Sequence, residues 1–441
     1  MCDGSTVKKL ITYDVNAAKV TAERYANVDE DGKPISFETL DVLNIPYKID
    51  GTPFEDILNV VDYDSSNQKI DLKELKERQD KLRTRAGNME IVGTQDEKIT
   101  LNGAYVEESV RKIDSSMEID ANSALSEYLA LNMLGTTEII DLTKFPESAD
   151  KKYLTDSWKE AYYQNPYILG VSGYSMSYDG TLMKVSYDDD EKTTAKKQKK
   201  IREKAKEITS NIIRKNMTEL EKEMAINQFL CDTISYDEEA LENAEKNNYK
   251  SVDSEYKDSF TAYGALINGR CVCAGYSAAF KLLAKEAGLD AIVVTGILEG
   301  GLSHAWNKVC IDGKWQIIDT TNNDNEYLNN ALFNLSDRIG KKVLVPDKDY
   351  VLDQSIKKYE ATEENKEYYR VEDKYYTEDT IAEYLAKDLM KNGHTTLRTE
   401  YDIDDNRFYN ITDNVYELIG EEYELEGYYW MGVIYLSLVV Q

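Results

Sequence analysis

The sequence predicts an α+β fold in which a helix that begins at a cysteine packs on an antiparallel sheet carrying a histidine and an aspartate. Three observations lead to this prediction. Apolar residues follow Cys273 at helical spacing, Asp312-Gly313 lies between alternating apolar residues, and His304 and Asp319 flank that dipeptide. The first pattern indicates an amphipathic helix and the second a tight β-hairpin.

Length and charge limit the organisation and the partners. A chain of 441 residues exceeds a single core of ordinary size, which predicts two to three domains. The 53 Lys and Arg residues against 82 Asp and Glu residues give a net charge of -29. Such a charge repels phosphate backbones and anionic lipid headgroups. We therefore expect no nucleic-acid partner and no membrane-surface partner.

The cysteines are too sparse for a disulfide scaffold, and their number is odd. They are Cys2, Cys231, Cys271, Cys273 and Cys310. We expect no signal peptide ahead of the domains, and the most apolar run, 428–440, is too short for a transmembrane segment. Cys2 directly follows the initiator, as in a trimmed secreted lipoprotein, although an ordinary N-terminal cysteine fits equally well. We expect an extracellular or cell-surface protein.

Four segments follow from the pattern of turns and periodic runs. Residues 1–88 form an N-terminal module whose role the sequence does not reveal. Residues 89–190 are predicted to be β-rich, because Gly and Asn turns separate short runs bearing Tyr and Ile. Residues 191–345 hold the long helices and the candidate catalytic residues. Residues 355–441 alternate helix and strand signals and are predicted to be a small α/β module.

Cys273 is placed at the start of the predicted helix. The apolar stripe consists of Ala278, Ala279, Leu282, Leu283 and Ala287, and Gly288 ends it. Unsatisfied N–H groups at a helix N-terminus carry partial positive charge, which favours a thiolate. Cys273 therefore has the placement of a nucleophile, whereas a small buried hydrophobic residue is the alternative.

The hairpin couples His304 to Asp319. With a two-residue turn at Asp312-Gly313, position 304 faces position 321, and Asp319 is a diagonal neighbour on the same sheet face. A carboxylate there fixes the imidazole tautomer while the other ring nitrogen takes a thiol proton. The chain has only two histidines, and the second, His394, follows a predicted helix end, where we expect a loop residue.

The sequence predicts no cofactor and no metal. Cys271 and Cys273 have no second Cys or His pair at ligand spacing, which argues against a structural zinc site. We find no phosphate-binding Gly loop, no H-E-x-x-H and no G-x-S-x-G motif.

Three blocks resemble the bacterial transglutaminase-like superfamily. They are G-R-C-V-C-A-G-Y-S at 269–277, H-A-W-N at 304–307 and W-Q-I-I-D-T-T at 315–321. Their order and spacing agree with that family over about 190–340. The resemblance implies a papain-like core and makes residues 191–345 the transglutaminase-like catalytic domain.

Carried over residue by residue, the resemblance implies Cys273 as nucleophile, His304 as its base and Asp319 as the residue that orients the histidine. Tyr236 ends a helix that begins at Thr218 and matches the family's aromatic oxyanion donor, although packing at a helix end is the alternative. Cys271 departs from the pattern, which usually has a small or aliphatic residue there. Two thiols therefore compete for the role of nucleophile.

The implied activity proceeds through a thioester acyl-enzyme on a protein or peptide substrate. Water would make the protein a cysteine peptidase or amide hydrolase, and a primary amine would make it a crosslinking transglutaminase. The bacterial relatives favour hydrolysis. A non-catalytic cell-surface binding protein that retains the fold is a third alternative, which an intact Cys-His-Asp set argues against.

Overall fold

The structure is a computed structural model that describes residues 119–142, 145–177, 180–247, 251–377, 380–420 and 423–439. It also describes the strand backbones at 12–14, 19–21, 90–93 and 98–100. Cys2 and most of the segment 1–88 lie outside the described residues. The N-terminal module and the lipid-bearing Cys2 therefore stay predictions.

Eleven α-helical segments occur within the described residues. They are α1 (Ala124–Leu134), α2 (Lys151–Gln164), α3 (Glu191–Ile212), α4 (Glu219–Thr233), α5 (Glu238–Lys246), α6 (Cys273–Glu286), α7 (Thr320–Asn323), α8 (Asp337–Gly340), α9 (Tyr368–Val371), α10 (Ile381–Asn392) and α11 (Asp405–Ile419). Short 3₁₀ segments lie at Pro146–Ala149, Lys257–Phe260 and Asp353–Tyr359, and a π-helical turn lies at Gly264–Asn268.

The strands are short. They are β1 (Thr12–Asp14), β2 (Lys19–Thr21), β3 (Glu90–Gly93), β4 (Lys98–Thr100), β5 (Ile139–Asp141), β6 (Val171–Ser177), β7 (Leu182–Tyr187), β8 (Ser235–Tyr236), β9 (Arg270–Cys271), β10 (Asp290–Leu298), β11 (Leu302–Ile311), β12 (Lys314–Ile318), β13 (Phe333–Leu335), β14 (Leu344–Pro346), β15 (His394–Arg398), β16 (Glu424–Trp430) and β17 (Val433–Val439).

The chain divides into two compact units, each assembled from separate stretches of sequence. The first unit comprises Met1–Glu203, Glu239–Tyr263 and Asp347–Lys358. The second unit comprises Lys204–Glu238, Gly264–Pro346 and Tyr359–Gln441. The contiguous domain bounds expected from the sequence stay predictions.

The first unit contains a five-stranded antiparallel sheet with the order β4-β3-β6-β7-β5. Helices α1 and α2 share a hydrophobic core with this sheet. Ser123 caps the start of α1, and Asp150 caps the start of α2, each by accepting hydrogen bonds from backbone N–H groups of the first turn. The segment predicted to be β-rich therefore holds the sheet and also two capped helices.

In the second unit, helix α6 packs on a five-stranded antiparallel sheet with the order β13-β12-β11-β10-β14. The α+β fold class is confirmed. Polar side chains tie the helix to the sheet: Lys281 Nζ donates to the Ala291 carbonyl at 2.6 Å, and Asn307 Nδ2 donates to the Ser277 carbonyl at 3.0 Å. Both side chains are buried, so these bonds fix where α6 sits over the strands.

The predicted hairpin is confirmed for part of its length. Ile311 pairs with Lys314, and the pairing continues in that register to Asn307 opposite Ile318. The turn residues Asp312 and Gly313 both have positive φ, at 51° and 75°. Two positive φ values are what a tight two-residue hairpin turn with the right twist requires.

The same prediction is wrong beyond Ile318, where strand β12 ends. Asp319 is the N-cap of the helical turn α7, and its side chain accepts a hydrogen bond from the N–H of Asn322. Aspartate competes well for such a cap because its carboxylate satisfies an orphan backbone donor. Position 304 therefore has no strand partner at 321.

The C-terminal sheet has the order β15-β17-β16, and helices α10 and α11 share its core. Gly393 ends α10 with a φ of 78°, as its position after the helix predicts. The apolar run that begins at position 428 holds the end of β16 and most of β17, separated by a turn at Met431 and Gly432, both with positive φ. Among the described residues no helix is long and apolar enough to cross a membrane.

An ion pair without solvent exposure joins this sheet to the rest of the second unit. Arg398 Nε lies 2.9 Å from Glu367 Oε1, and both side chains are 0% exposed. The same guanidinium donates to the carbonyl of Ala331 at 2.6 Å and to that of Met431 at 2.5 Å. These bonds anchor β15 to the loop that follows α7.

Candidate active site

Cys273 is the first residue of helix α6 and is partly exposed. Its N-cap, Val272, has an extended backbone and no side-chain acceptor, so no capping side chain covers the first turn. The N–H groups of that turn therefore direct partial positive charge at the thiol. The helix ends at Glu286 and Gly288 follows with a φ of 80°, which agrees with the predicted stop.

Cys271 occupies a different environment. It lies in strand β9 with 0% exposure, and burial raises the pKa of its thiol well above the usual range. A thiol that stays protonated in an apolar wall is a poor nucleophile. Of the two competing cysteines, the local environment therefore favours Cys273.

His304 and Asp319 are in direct contact. His304 Nε2 lies 2.7 Å from Asp319 Oδ2, and the two side chains are 6% and 0% exposed. A ring has two nitrogens, and with Nε2 engaged, Nδ1 is the one left for a thiol; the Cys273 thiol is close enough to the ring to help raise its pKa. The structure thus brings Cys273, His304 and Asp319 together.

The imidazole of His304 is held in its protonated form. Burial by itself lowers its pKa, but the charge of Asp319 and the hydrogen bond to it outweigh burial, and the Cys273 thiol adds to them. Together these effects raise the pKa of His304 to about 10. An imidazolium beside a thiol at a helix N-terminus stabilises the thiolate.

Trp306 lies beside the histidine ring, two positions further along β11 and on the same face of the sheet. It is 1% exposed, and its ring is stacked at 6.0 Å from that of His304. Gly296, the strand partner of His304, leaves the space this indole fills, because a Cβ there would lie 2.7 Å from the Trp306 ring. A larger residue at position 296 would therefore displace the ring.

Asn322 is a site residue that sequence reasoning missed. Its Nδ2 lies 2.6 Å from Asp319 Oδ2 and 3.3 Å from His304 Nε2. The signal was present in the sequence, because an aspartate followed by Thr-Thr-Asn is typical of an N-capped turn. Such a turn brings the third following residue back to the cap, and so beside the histidine.

Asparagine side chains hold the loop after α7 in place. Asn227, on α4, donates to Asn330 Oδ1 at 2.8 Å and accepts from Asn323 Nδ2 at 3.2 Å. Asn323 Oδ1 accepts from the N–H of Leu332 at 2.9 Å, and the Leu332 carbonyl accepts from the N–H of Asp319 at 3.0 Å. The backbone of Asp319 is therefore fixed from two sides.

Tyr236 lies beside the cysteines rather than at a helix end. It follows α4 in the short strand β8, where it pairs in parallel with Cys271, and it is partly exposed. Partial burial raises the pKa of its phenol well above the usual range, and the charge of Cys273 is the next largest cause. The phenol is thus close enough to the candidate nucleophile to respond to its charge.

Tyr276 joins helix α6 to two neighbouring segments. Its hydroxyl donates to Asp324 Oδ2 at 2.6 Å and lies 3.3 Å from the carbonyl of Ile234. The second histidine, His394, begins strand β15 and is exposed. Within the described residues no three His, Cys, Asp or Glu side chains are grouped so as to hold a metal ion.

This region is similar to known proteins. The model of the transglutaminase-like superfamily matches residues 206–320, which include all four candidate residues. Kyphoscoliosis peptidase of Mus musculus and that of Homo sapiens are each 26% identical to the chain over 126 residues. The match covers 26% of this chain and only 17% of either relative.

Two solved structures are also similar. A crystal structure of a TGase gives a TM-score of 0.25 at 21% identity, covering 34% of this chain and 43% of the other. A candidate cysteine protease from Cytophaga hutchinsonii gives a TM-score of 0.21 at 18% identity, covering 28% and 37%.

Proposed function

We propose that residues 206–320, a segment of the transglutaminase-like superfamily, form the catalytic part of a cysteine enzyme that opens peptide or glutamine-type amide bonds. One observation carries this proposal. The imidazole of His304 contacts the Asp319 carboxylate at 2.7 Å and is close enough to the Cys273 thiol, at the start of α6, for that thiol to help raise its pKa. A thiolate, an imidazolium and a carboxylate in that order make an activated nucleophile with a ready proton donor.

The first half-reaction forms a thioester. The Cys273 sulfur attacks the carbonyl carbon, and the electron pair of the carbonyl moves to its oxygen. His304 then gives its proton to the nitrogen of the departing amine, the C–N bond breaks, and the carbonyl re-forms. Asp319 keeps the ring oriented throughout and stabilises its positive charge.

The developing oxyanion needs hydrogen-bond donors. The N–H of Cys273 at the uncapped helix start supplies one, and we assign the Tyr236 phenol as the second. A raised phenol pKa keeps Tyr236 protonated, and therefore a donor, across neutral pH.

The second half-reaction decides whether the enzyme is a hydrolase or an acyltransferase. Water, losing a proton to His304, releases a carboxylic acid, whereas a primary amine gives a new amide. We propose hydrolysis, which is supported by the name peptidase that both curated relatives carry. Crosslinking is the other outcome of the same acyl-enzyme.

Intact-protein mass spectrometry tests the proposal. The protein is incubated with short peptides that contain glutamine and internal peptide bonds, and is quenched in acid. We expect an added acyl mass on Cys273 that hydroxylamine removes and that the Cys273→Ala variant lacks. Chasing the adduct in ¹⁸O-water or with a labelled primary amine separates hydrolysis from transfer. If no peptide leaves an adduct or a cleaved product, a non-catalytic binding protein replaces the enzyme.

A further inference from the structure

The C-terminal sheet has one covered face and one partly open face. The apolar side chains of one face pack with helices α10 and α11; they include Leu397, Leu425, Tyr429, Ile434, Leu436 and Leu438. On the opposite face, Val433 and Trp430 pack with Ala331 and Tyr369 of the same unit. Further along that face, Tyr428 and Tyr435 form a cross-strand pair that remains accessible.

A third tyrosine lies on this pair. The ring of Tyr327 is stacked at 4.8 Å from that of Tyr428 and lies 5.1 Å from that of Tyr435. Tyr327 is 36% exposed and Tyr428 is 38% exposed. We call Tyr327, Tyr428 and Tyr435 the tyrosine patch. Clustered exposed rings of this kind mark binding surfaces more often than packing.

Carboxylates surround the tyrosine patch. Tyr428 donates its hydroxyl hydrogen to Glu426 Oε1 at 2.6 Å. The charge of Glu326 is the largest of the causes that raise the pKa of Tyr327, and Glu426 adds to it. Trp430 Nε1 donates to Glu299 Oε2 at 3.3 Å at the other end of the face. The patch therefore lies within a negative field.

Short stretches of chain join the patch and its neighbours to the segments that carry the candidate catalytic side chains. Tyr327 follows Asp319 by eight positions, just beyond the helical turn α7 that Asp319 caps. Glu299 precedes His304 by five positions, at the turn between β10 and β11. The tyrosine patch and the candidate catalytic residues therefore belong to the same compact unit, as a substrate that reaches both requires.

We propose that the tyrosine patch binds a basic segment of the polypeptide substrate, with a lysine or arginine side chain over the rings and the neighbouring carboxylates balancing its charge. Aromatic faces attract cations, and the surrounding carboxylates add Coulombic attraction. The net charge of -29 favours the same partner over an anionic one. The assignment of this segment to the substrate rests on the proposed function.

Binding is measured in the Cys273→Ala variant, so that no turnover intervenes. Two fluorescent peptides of equal length are compared by anisotropy, one with lysines and one with glutamines at the same positions. We expect the lysine peptide to bind more tightly and to lose affinity as salt rises. Replacing Tyr428 by Ala should weaken it about two- to thirty-fold, the range of a cation over an aromatic ring.

Two variants serve as controls. Tyr416, on α11, has the same 38% exposure as Tyr428 but lies on the helix that covers the other side of the sheet, so Tyr416→Ala should leave the affinity unchanged. Tyr428→Phe keeps the ring and should retain most of the affinity. Circular dichroism of each variant checks that the fold is retained.

Equal affinity for the two peptides, or an unchanged affinity in Tyr428→Ala, overturns the proposal. Binding of a neutral oligosaccharide to the patch without binding of the lysine peptide also overturns the proposal, because the aromatic rings alone would then account for recognition. If the acyl adduct forms but the basic peptide does not bind, only the proposal for the tyrosine patch is contradicted. Basic-peptide binding without any adduct contradicts only the catalytic function.

Discussion

Asp319 contacts His304 at 2.7 Å while its other carboxylate oxygen accepts the N–H of Asn322 at the start of α7. One side chain therefore ends a strand, begins a helical turn and orients the imidazole. The helical turn fixes the carboxylate more firmly than a strand position would, because a cap constrains both its backbone and its side chain. The histidine is oriented by a group that cannot easily rotate away.

Replacing Asp319 by Asn tests the charge of this contact. The amide still accepts a hydrogen bond, but the charge that raises the His304 pKa is gone, so the pKa should fall toward 6.5 or below, given the burial of the ring. Turnover should drop by about 10²- to 10⁴-fold. NMR titration of the His304 ring gives the pKa, and steady-state kinetics gives the rate. Near-normal turnover would remove Asp319 from the catalytic set.

The raised His304 pKa also predicts how acylation depends on pH. The imidazolium must give its proton to the leaving amine, so the acylation rate should fall as the pH rises through about 10. A histidine with a raised folded pKa adds stability that is complete below about 6.5 and is lost as the pH rises through the folded value. The free energy of unfolding should therefore decline over that window.

Single-turnover acylation and urea unfolding across pH 6 to 11 measure the two effects. In Asp319→Asn both alkaline changes should move to lower pH, since both depend on the same ring. An acylation rate that stays constant through pH 11 would mean that His304 is not the proton donor.

Thiol labelling separates the two neighbouring cysteines. Iodoacetamide at neutral pH should modify Cys273 first, because it is partly exposed and faces the His304 imidazolium. Cys271 and Cys231 should react slowly, since burial raises the pKa of each thiol. Peptide mapping by mass spectrometry gives the order.

The matched variants sharpen that experiment. Cys271→Ala should keep rapid labelling and turnover and cost about 1 kcal/mol of stability, as expected for a small buried side chain. His304→Ala should slow labelling of Cys273. Loss of turnover in Cys271→Ala alone would transfer the role of nucleophile to Cys271.

Asn322 is predicted to act as a positioning residue. Removing its side chain in Asn322→Ala deletes the 2.6 Å hydrogen bond to Asp319 and leaves a carboxylate oxygen less constrained. We expect kcat to fall by about ten-fold while KM changes little, since the side chain acts through Asp319. Asn322→Gln, which keeps the amide but lengthens the side chain, serves as the conservative comparison. An unaltered pH profile together with a wild-type kcat would leave Asn322 with only a packing role.

The residues that carried local signals were predictable. Alternating apolar residues around Asp312-Gly313 predicted the hairpin register, and the apolar stripe after Cys273 predicted α6 and its end. The end of β12 was not foreseen, because counting strand partners outward from the Asp312-Gly313 turn assumes that both strands continue. Asp319 is a strong cap, and the cap overrode the ladder. Local capping chemistry therefore decided the geometry of the histidine contact.

Other features depended on contacts between distant segments. The two units are interleaved in the sequence, and no composition change marks where the chain passes from one to the other. The parallel pair of β8 and β9 brings Tyr236 beside Cys271 from 35 positions away, although each strand has only two residues. Strands so short show no periodicity, so only the family resemblance indicated Tyr236.

Tyr236 gives the last prediction. Its phenol stays protonated at neutral pH because burial and the nearby Cys273 charge raise its pKa, so it can donate to an oxyanion beside that sulfur. Tyr236→Phe removes this donor but keeps the ring between its neighbours. We expect the acylation rate to fall by about ten- to a thousand-fold with little change in stability. Rapid-quench measurement of the acyl-enzyme gives the rate, and iodoacetamide labelling of Cys273 should remain fast because His304 and the helix start are unchanged in the variant. If acylation is unaffected, Tyr236 packs beside Cys271, and the N–H of Cys273 needs a different partner to stabilise the oxyanion.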